Sequence, residues 1–233
     1  MKIIEKILTQ NDCYKAGKKI TVKGLMLHSV GCPQPKAEIF INQWNKSGVQ
    51  KCVHAFIEPN GDVYQTLPWN HRGWHAGGNA NNTHIGIEMT EPATIKYISG
   101  SNWTDIDPVE TKTHVFATYQ IAVELFAYLC KLYELEPLAD GVIISHSEGH
   151  KRGIASGHAD VEHIWSKFGL TMAQFRKDVK TAMEKNELLE AVTFISSKIP
   201  GGIDVKMWSS DNKEWKAKYV DTLILKIYKA WKG

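Results

Sequence analysis

Along the first 150 residues, short apolar runs closed by turn residues alternate with stretches in which apolar positions recur every three or four. Ile20–Leu27 (ITVKGLML) is an apolar run that ends at His28 and is followed by Ser29, Gly31 and Pro33, the pattern of a strand entering a loop. Val49–Glu58 and Val63–Leu67 flank Pro59-Asn60-Gly61-Asp62 and predict an antiparallel hairpin, with His54 in its first strand. His84–Thr90 (HIGIEMT) predicts a strand carrying Glu88 among apolar neighbours, and Gly141–Ser145 (GVIIS) predicts a strand that His146 closes. Helical spacing marks Lys36–Asn45 after Pro35, residues 109–135 (Val115, Tyr119, Ala122, Phe126, Leu129, Tyr133), and Thr171 through Met183. Beyond a break at Pro200-Gly201-Gly202, Val220, Leu223, Ile224, Ile227, Tyr228 and Trp231 share one face of a last helix.

Strands interleaved with helices predict an α/β fold, a mixed central β-sheet flanked by helices, with the hairpin supplying an antiparallel pair. A boundary near Glu184–Glu187 would divide the chain into a catalytic domain, 1–185, and a small helical C-terminal region, 186–233, because every candidate catalytic residue precedes it. With 43% hydrophobic and 23% charged residues, the 233-residue chain is globular in composition, which excludes a disordered chain. No apolar run approaches the roughly 20 residues needed to span a bilayer. Met1–Leu8 lacks the apolar core and cleavage site of a signal peptide, so synthesis in the cytosol is expected. Cys13, Cys32, Cys52 and Cys130 lie far apart without a C-x-x-C pair and read as free thiols. The net charge of +3 suits a polyanionic surface, but no zinc-finger spacing or basic arm accompanies it, so no nucleic-acid partner is expected.

The densest chemistry is SHSEGHKRGIASGHADVEH at 145–163. His146 and His150, four apart with Glu148 between them, invite a zinc-protease reading, but the order differs from H-E-x-x-H and Gly149 interrupts a helix interior. His146 instead ends a strand, as His28 does. Two such strand ends place two imidazoles at a sheet rim, and Asp160 in GHAD is the best third ligand for a catalytic zinc shell with an open position. Cys32, four residues from His28 in a Gly/Pro loop, is a weaker rival.

LMLHS at 25–29, VHAFIEPNGDVYQTLPWNHRGWHAG at 53–77, NNTHIGIEM at 81–89 and ISHSEGHKRGIASGHAD at 144–160 together resemble the zinc-dependent N-acetylmuramoyl-L-alanine amidases of the type 2 family, relatives of the peptidoglycan recognition proteins. The resemblance covers most of residues 20–170. It implies one Zn2+ held by His28, His146 and Asp160, Glu88 as the group that moves protons, and hydrolysis of the amide between N-acetylmuramic acid and L-alanine. Many relatives carry cysteine at the third ligand and lysine two residues before it; here these positions hold Asp160 and His158, so His158 is either an oxyanion donor or only a loop residue. His150 and His163 are expected behind the ligands, at the rim or on the surface. His54, Trp69, Trp74, His75 and Asn82, with His71 and Arg72, are expected to line a substrate groove. Bacterial peptidoglycan is the implied partner. The basic last helix, with Lys216, Lys218, Lys226, Lys229 and Lys232, adds the expectation of contact with anionic wall polymers, the alternative being that its apolar face packs on its own domain or forms a dimer. A lysis enzyme that reaches the wall after release, as in phage, fits this reading; the alternative is a peptidoglycan-binding protein of the same fold without catalysis.

Overall fold

The computed structural model describes residues 1–232. Its strands are β1 (Lys2–Glu5), β2 (Gly24–Ser29), β3 (Ala55–Ile57), β4 (Asp62–Gln65), β5 (His84–Met89), β6 (Ile95–Ser99), β7 (Asn102–Asp105) and β8 (Ile143–Ser145). Six of them form a mixed sheet in the order β1-β4-β3-β5-β2-β8, in which only β3–β4 is antiparallel. That pair is the expected hairpin, turned at Gly61 with φ +96°. Its first strand starts at Ala55, six residues later than the pattern predicts. The backbone of Cys52 pairs instead with Trp74, and the His54 carbonyl accepts from the amides of Thr66 and Leu67. β6 and β7 make a separate antiparallel hairpin.

Helices α1 (Asp12–Ala16), α2 (Ala37–Trp44), α3 (Pro108–Leu132), α4 (His146–Lys151), α5 (Glu162–Trp165) and α6 (Met172–Lys198) accompany the sheet. Asp107 caps α3 by accepting from the amides of Val109 and Glu110, with Pro108 in the first turn. By length and composition α3 is apolar enough to cross a membrane, contrary to the absence of any such run expected above. It is nevertheless a core helix: Val115, Ala122, Leu125, Phe126 and Leu129 are buried, and α3 packs on β3 and β5. Helix α4 corrects a second expectation. Gly149 does not break it: α4 runs through the glycine from His146 to Lys151, with Gly149 packed closely against Met26 of β2, whose Cε would lie 2.7 Å from a side chain there. Ser145 and Glu148 form a capping box, and Glu148 also pairs with Arg176 at 2.9 Å, so the glutamate between the two histidines is a structural residue.

Two compact units make up the chain, Met1–Lys180 and a second beginning at Thr181. Helix α6 runs on to Lys198, well past the expected end at Met183, because no glycine or proline interrupts the chain before Pro200. The second unit also contains α7 (Val205–Trp208), capped by Asp204, and α8 (Lys213–Lys232). Trp208 meets Trp215 edge-on and Trp215 meets Tyr219 at a tilt there, with ring centroids 5.1 and 4.8 Å apart.

Candidate active site

Alternation along the central strands sorts chemistry from packing. Leu25 and Leu27 of β2 pair with Ile85 and Ile87 of β5, all buried, whereas Met26 and His28 pair with Gly86 and Glu88. In-register residues of neighbouring strands share a face, so His28 and Glu88 emerge side by side. β8 pairs with β2 up to Ser145↔Leu27, and the next residue on each strand is a histidine. His146 thereby arrives next to His28, with Nδ1 atoms 3.0 Å apart. Asp160 completes the cluster, its Oδ2 lying 3.2 Å from His28 Nδ1 and 3.7 Å from His146 Nδ1. All three residues are buried. The two strands and loop therefore bring together the three expected ligands; Cys32 stays apart, packed near Val53 and Phe56.

Hydrogen bonds behind the cluster fix the imidazole tautomers. His75 donates from Nε2 to the His84 carbonyl, which leaves its Nδ1 to accept from His28 Nε2 at 3.0 Å. Ser156 Oγ donates to the Ala76 carbonyl and accepts from His146 Nε2 at 3.1 Å. With neutral rings, the Nδ1 lone pairs of His28 and His146 thus both face the Asp160 carboxylate. Three lone-pair donors converge without a proton between them, an arrangement a cation relieves. Their separations of 3.0, 3.2 and 3.7 Å bracket the edge of about 3.3 Å expected of a tetrahedron with metal–ligand bonds near 2.0–2.1 Å. Burial and the neighbouring His28 hold the His146 pKa at about 4, so that ring is neutral near pH 7 and could serve as a ligand.

A cavity of about 610 Å³ opens over the cluster, walled by Trp44, Trp74, Glu88, Tyr97, His158 and His163 among others. Glu88 Oε2 is buried and accepts no hydrogen bond. Burial first, then the charges of Asp160 and Glu91, push the Glu88 pKa well above that of an ordinary carboxylate. His158 is exposed, its ring centroid 4.5 Å from that of His146. His150 lies on the surface, bonded to the Ala155 carbonyl.

The expected substrate residues divide. Trp74 lines the cavity, 42% exposed, with the Arg72 guanidinium 5.1 Å over its ring, and Arg72 Nε donates to Asn82 Oδ1 at 2.7 Å. Asn82 thus acts on the wall through Arg72. His75 touches the cavity but is committed to His28, and the amides of His75 and Ala76 both donate to Asn81 Oδ1. His54 is fully buried: its Nδ1 accepts from the Gly86 amide and its Nε2 donates to the His71 carbonyl, so it has no face toward substrate. Trp69 is half-buried and His71 stacks on Tyr14, both away from the cavity wall. Sequence reading missed one cluster. Tyr97 donates to Glu91 Oε2 at 2.8 Å and accepts from His163 Nε2 at 2.7 Å, while Glu91 Oε1 accepts from the Gly31 amide. The alternation of β6 around the Gly100 turn was the available signal for Tyr97, but nothing local ties it to residues 91 and 163.

Two histidines and a carboxylate under a glutamate, at the edge of a cavity, define a hydrolytic centre by class. Residues 18–162, more than half of the chain, match the N-acetylmuramoyl-L-alanine amidase family, and the chain belongs to that family. Its reaction is hydrolysis of the amide between the N-acetylmuramoyl group and L-alanine in peptidoglycan. Among solved structures, the hydrolase AmiA of Staphylococcus aureus in complex with its ligand is 16% identical with a TM-score of 0.58, over 78% of this chain and 83% of that one. The catalytic domain of XlyA is 17% identical with a TM-score of 0.53, over 77% and 99%. A mutant endolysin from Bacillus subtilis is 18% identical with a TM-score of 0.54, over 77% and 99%. At these identities the likeness is one of fold. No curated protein matches the chain.

Proposed function

We propose that His28, His146 and Asp160 hold one zinc ion and that the protein is a zinc-dependent amidase of peptidoglycan. The convergence of two imidazole lone pairs and a carboxylate, with tautomers set by His75 and Ser156, carries this reading. A bound zinc ion would polarise the scissile carbonyl and lower the pKa of water toward about 7. Glu88, its proton affinity raised by burial and by the charges of Asp160 and Glu91, takes the proton from the attacking water and returns it to the departing amine of L-alanine. His158, beside His146 at the cavity mouth, donates to the carbonyl oxygen as negative charge grows there. Trp74 gives the bound muropeptide a flat apolar wall, steadied by Arg72 and Asn82. A protein that only bound peptidoglycan would gain nothing from a buried carboxylate oxygen without a donor, which favours catalysis over the binding-only alternative.

Residues 1–185 are proposed as the catalytic domain. Residues 186–233, with the lysines of α8, are proposed as a region that meets anionic wall polymers, in an enzyme that lyses cells after release from the cytosol. The test is clearing of a suspension of purified cell walls. Activity is expected to vanish with a chelator and return with zinc, and new N-terminal L-alanine should appear. Clearing that a chelator leaves intact would overturn the metal assignment, and clearing without new L-alanine termini would overturn the bond assignment.

A further inference from the structure

Cys13 and Cys52 are 39 positions apart in sequence, yet they share one buried cluster with Leu8 and Leu67, and the chain around them runs side by side: the Asp12 amide donates to the Val49 carbonyl at 3.1 Å and Asn11 Nδ2 to the Lys51 carbonyl at 3.1 Å. Helix α1 brings Cys13 there. Cys13 Sγ donates to the Gln50 carbonyl at 3.0 Å, and its amide is held by Asn11 Oδ1 at 2.9 Å. The Cys52 backbone is fixed by two hydrogen bonds with Trp74, of 3.1 and 2.9 Å. Cys13 is reachable from solvent, because it lines a second cavity of about 230 Å³ with Lys18, Arg72 and Trp74, while Cys52 is buried behind it. The two thiols are also unequal. The nearby Cys52, with Arg72 adding to the effect, lowers the Cys13 pKa, while Cys13 and burial raise that of Cys52, whose Sγ faces the Val53 carbonyl at 3.6 Å. One is suited to attack and the other to follow.

We propose that Cys13 and Cys52 are a site of oxidative modification, closing an intramolecular disulfide when the protein meets a low-molecular-weight disulfide. The Cys13 thiolate attacks one sulfur of the small disulfide, forming a mixed disulfide and releasing one small thiolate. Cys52, losing its proton, then attacks the Cys13 sulfur; the Cys13–Cys52 bond forms and the second small thiolate leaves. Two protein thiols are oxidised and one small disulfide is reduced to two thiols. The bond ties α1 to the segment that holds Trp74 and closes a loop of about 40 residues, which restricts the unfolded chain. Neither thiol touches the catalytic cluster, so hydrolysis persists in both states.

The full chain is treated with oxidised glutathione, alkylated under denaturing conditions and digested without reductant. The peptides carrying Cys13 and Cys52 should be joined, and titratable thiols should fall from four to two. Tm should rise by roughly 5–10 °C and return with dithiothreitol, as expected for a loop of this size in a chain of this length. Cys13→Ser should retain its three thiols with an unmoved Tm, and Cys52→Ser should stop at a glutathione adduct on Cys13. Four thiols persisting after oxidation, a bond involving Cys32 or Cys130, or a stable Cys13 adduct in the wild type would each overturn the proposal.

Discussion

Glu88 combines a buried oxygen that has no donor with neighbouring negative charges at Asp160 and Glu91, and both push its proton affinity upward. Glu88→Gln keeps the shape and removes the charge. Turnover should fall by about 10²-fold or more, the scale of a general acid–base group, while zinc content stays at one per chain and Tm is unchanged or higher. Normal turnover in a zinc-loaded Glu88→Gln protein would remove Glu88 from the chemistry. His54 sets a different expectation. Burial depresses its pKa from 6.5 to about 4 against the bond its Nε2 donates to the His71 carbonyl, and the Gly86 amide donating to Nδ1 holds that nitrogen unprotonated, so the folded state demands the neutral ring. Its contribution to stability is therefore complete above about pH 6.5 and is lost as pH falls toward 4, amounting to order 3 kcal/mol across that window. NMR titration should find the His54 ring neutral at pH 5; a charged ring there would contradict the assignment.

Between neighbouring strands, the absence of a side chain matters as much as any ligand. At Gly86, in register with Met26, a Cβ would collide with the ring of His75, whose Nδ1 orients His28. Gly86→Ala should leave β5 in place but turn His75 away, at about 1–3 kcal/mol of overpacking. Zinc affinity should drop about 10- to 100-fold, the cost of losing a hydrogen bond behind a ligand, as measured by competition with a chromophoric chelator. Unchanged affinity would show that His75 does not set the His28 tautomer. The sequence made the catalytic strands readable because β2, β5 and β8 alternate or run apolar up to a histidine or past a glutamate. It misled at His54 because residence near a strand does not say which way a ring faces, and here both ring nitrogens serve the backbone. Tyr97, Glu91 and His163 escaped because their contact joins a hairpin, a loop and a short helix that share no local pattern.

Over the whole chain, α6 shows why the expected boundary was hard to read, since a helix with no interruption offers no punctuation where one compact unit gives way to the next. Its first part belongs to the first unit: Phe175 and Val179 are buried, Arg176 pairs with Glu148, and Asp178 accepts from Tyr119 at 2.6 Å. A chain ending at Lys185 retains all of these. It should remain folded, bind zinc and hydrolyse soluble muropeptides at the full-length rate, while sedimenting less with intact sacculi. Loss of zinc together with folding would place residues 186–233 inside the catalytic domain, and undiminished sedimentation would free them of any wall-binding role. The cluster itself is assembled from positions 28, 146 and 160, gathered only when the sheet has closed from β5 through β2 to β8. A ribosome that has delivered β1 through β7 has made one ligand of three. Until the segment through Asp160 has emerged and docked, the growing polypeptide lacks part of the set proposed to hold zinc, so a stalled or clipped N-terminal fragment is expected to be inert toward peptidoglycan.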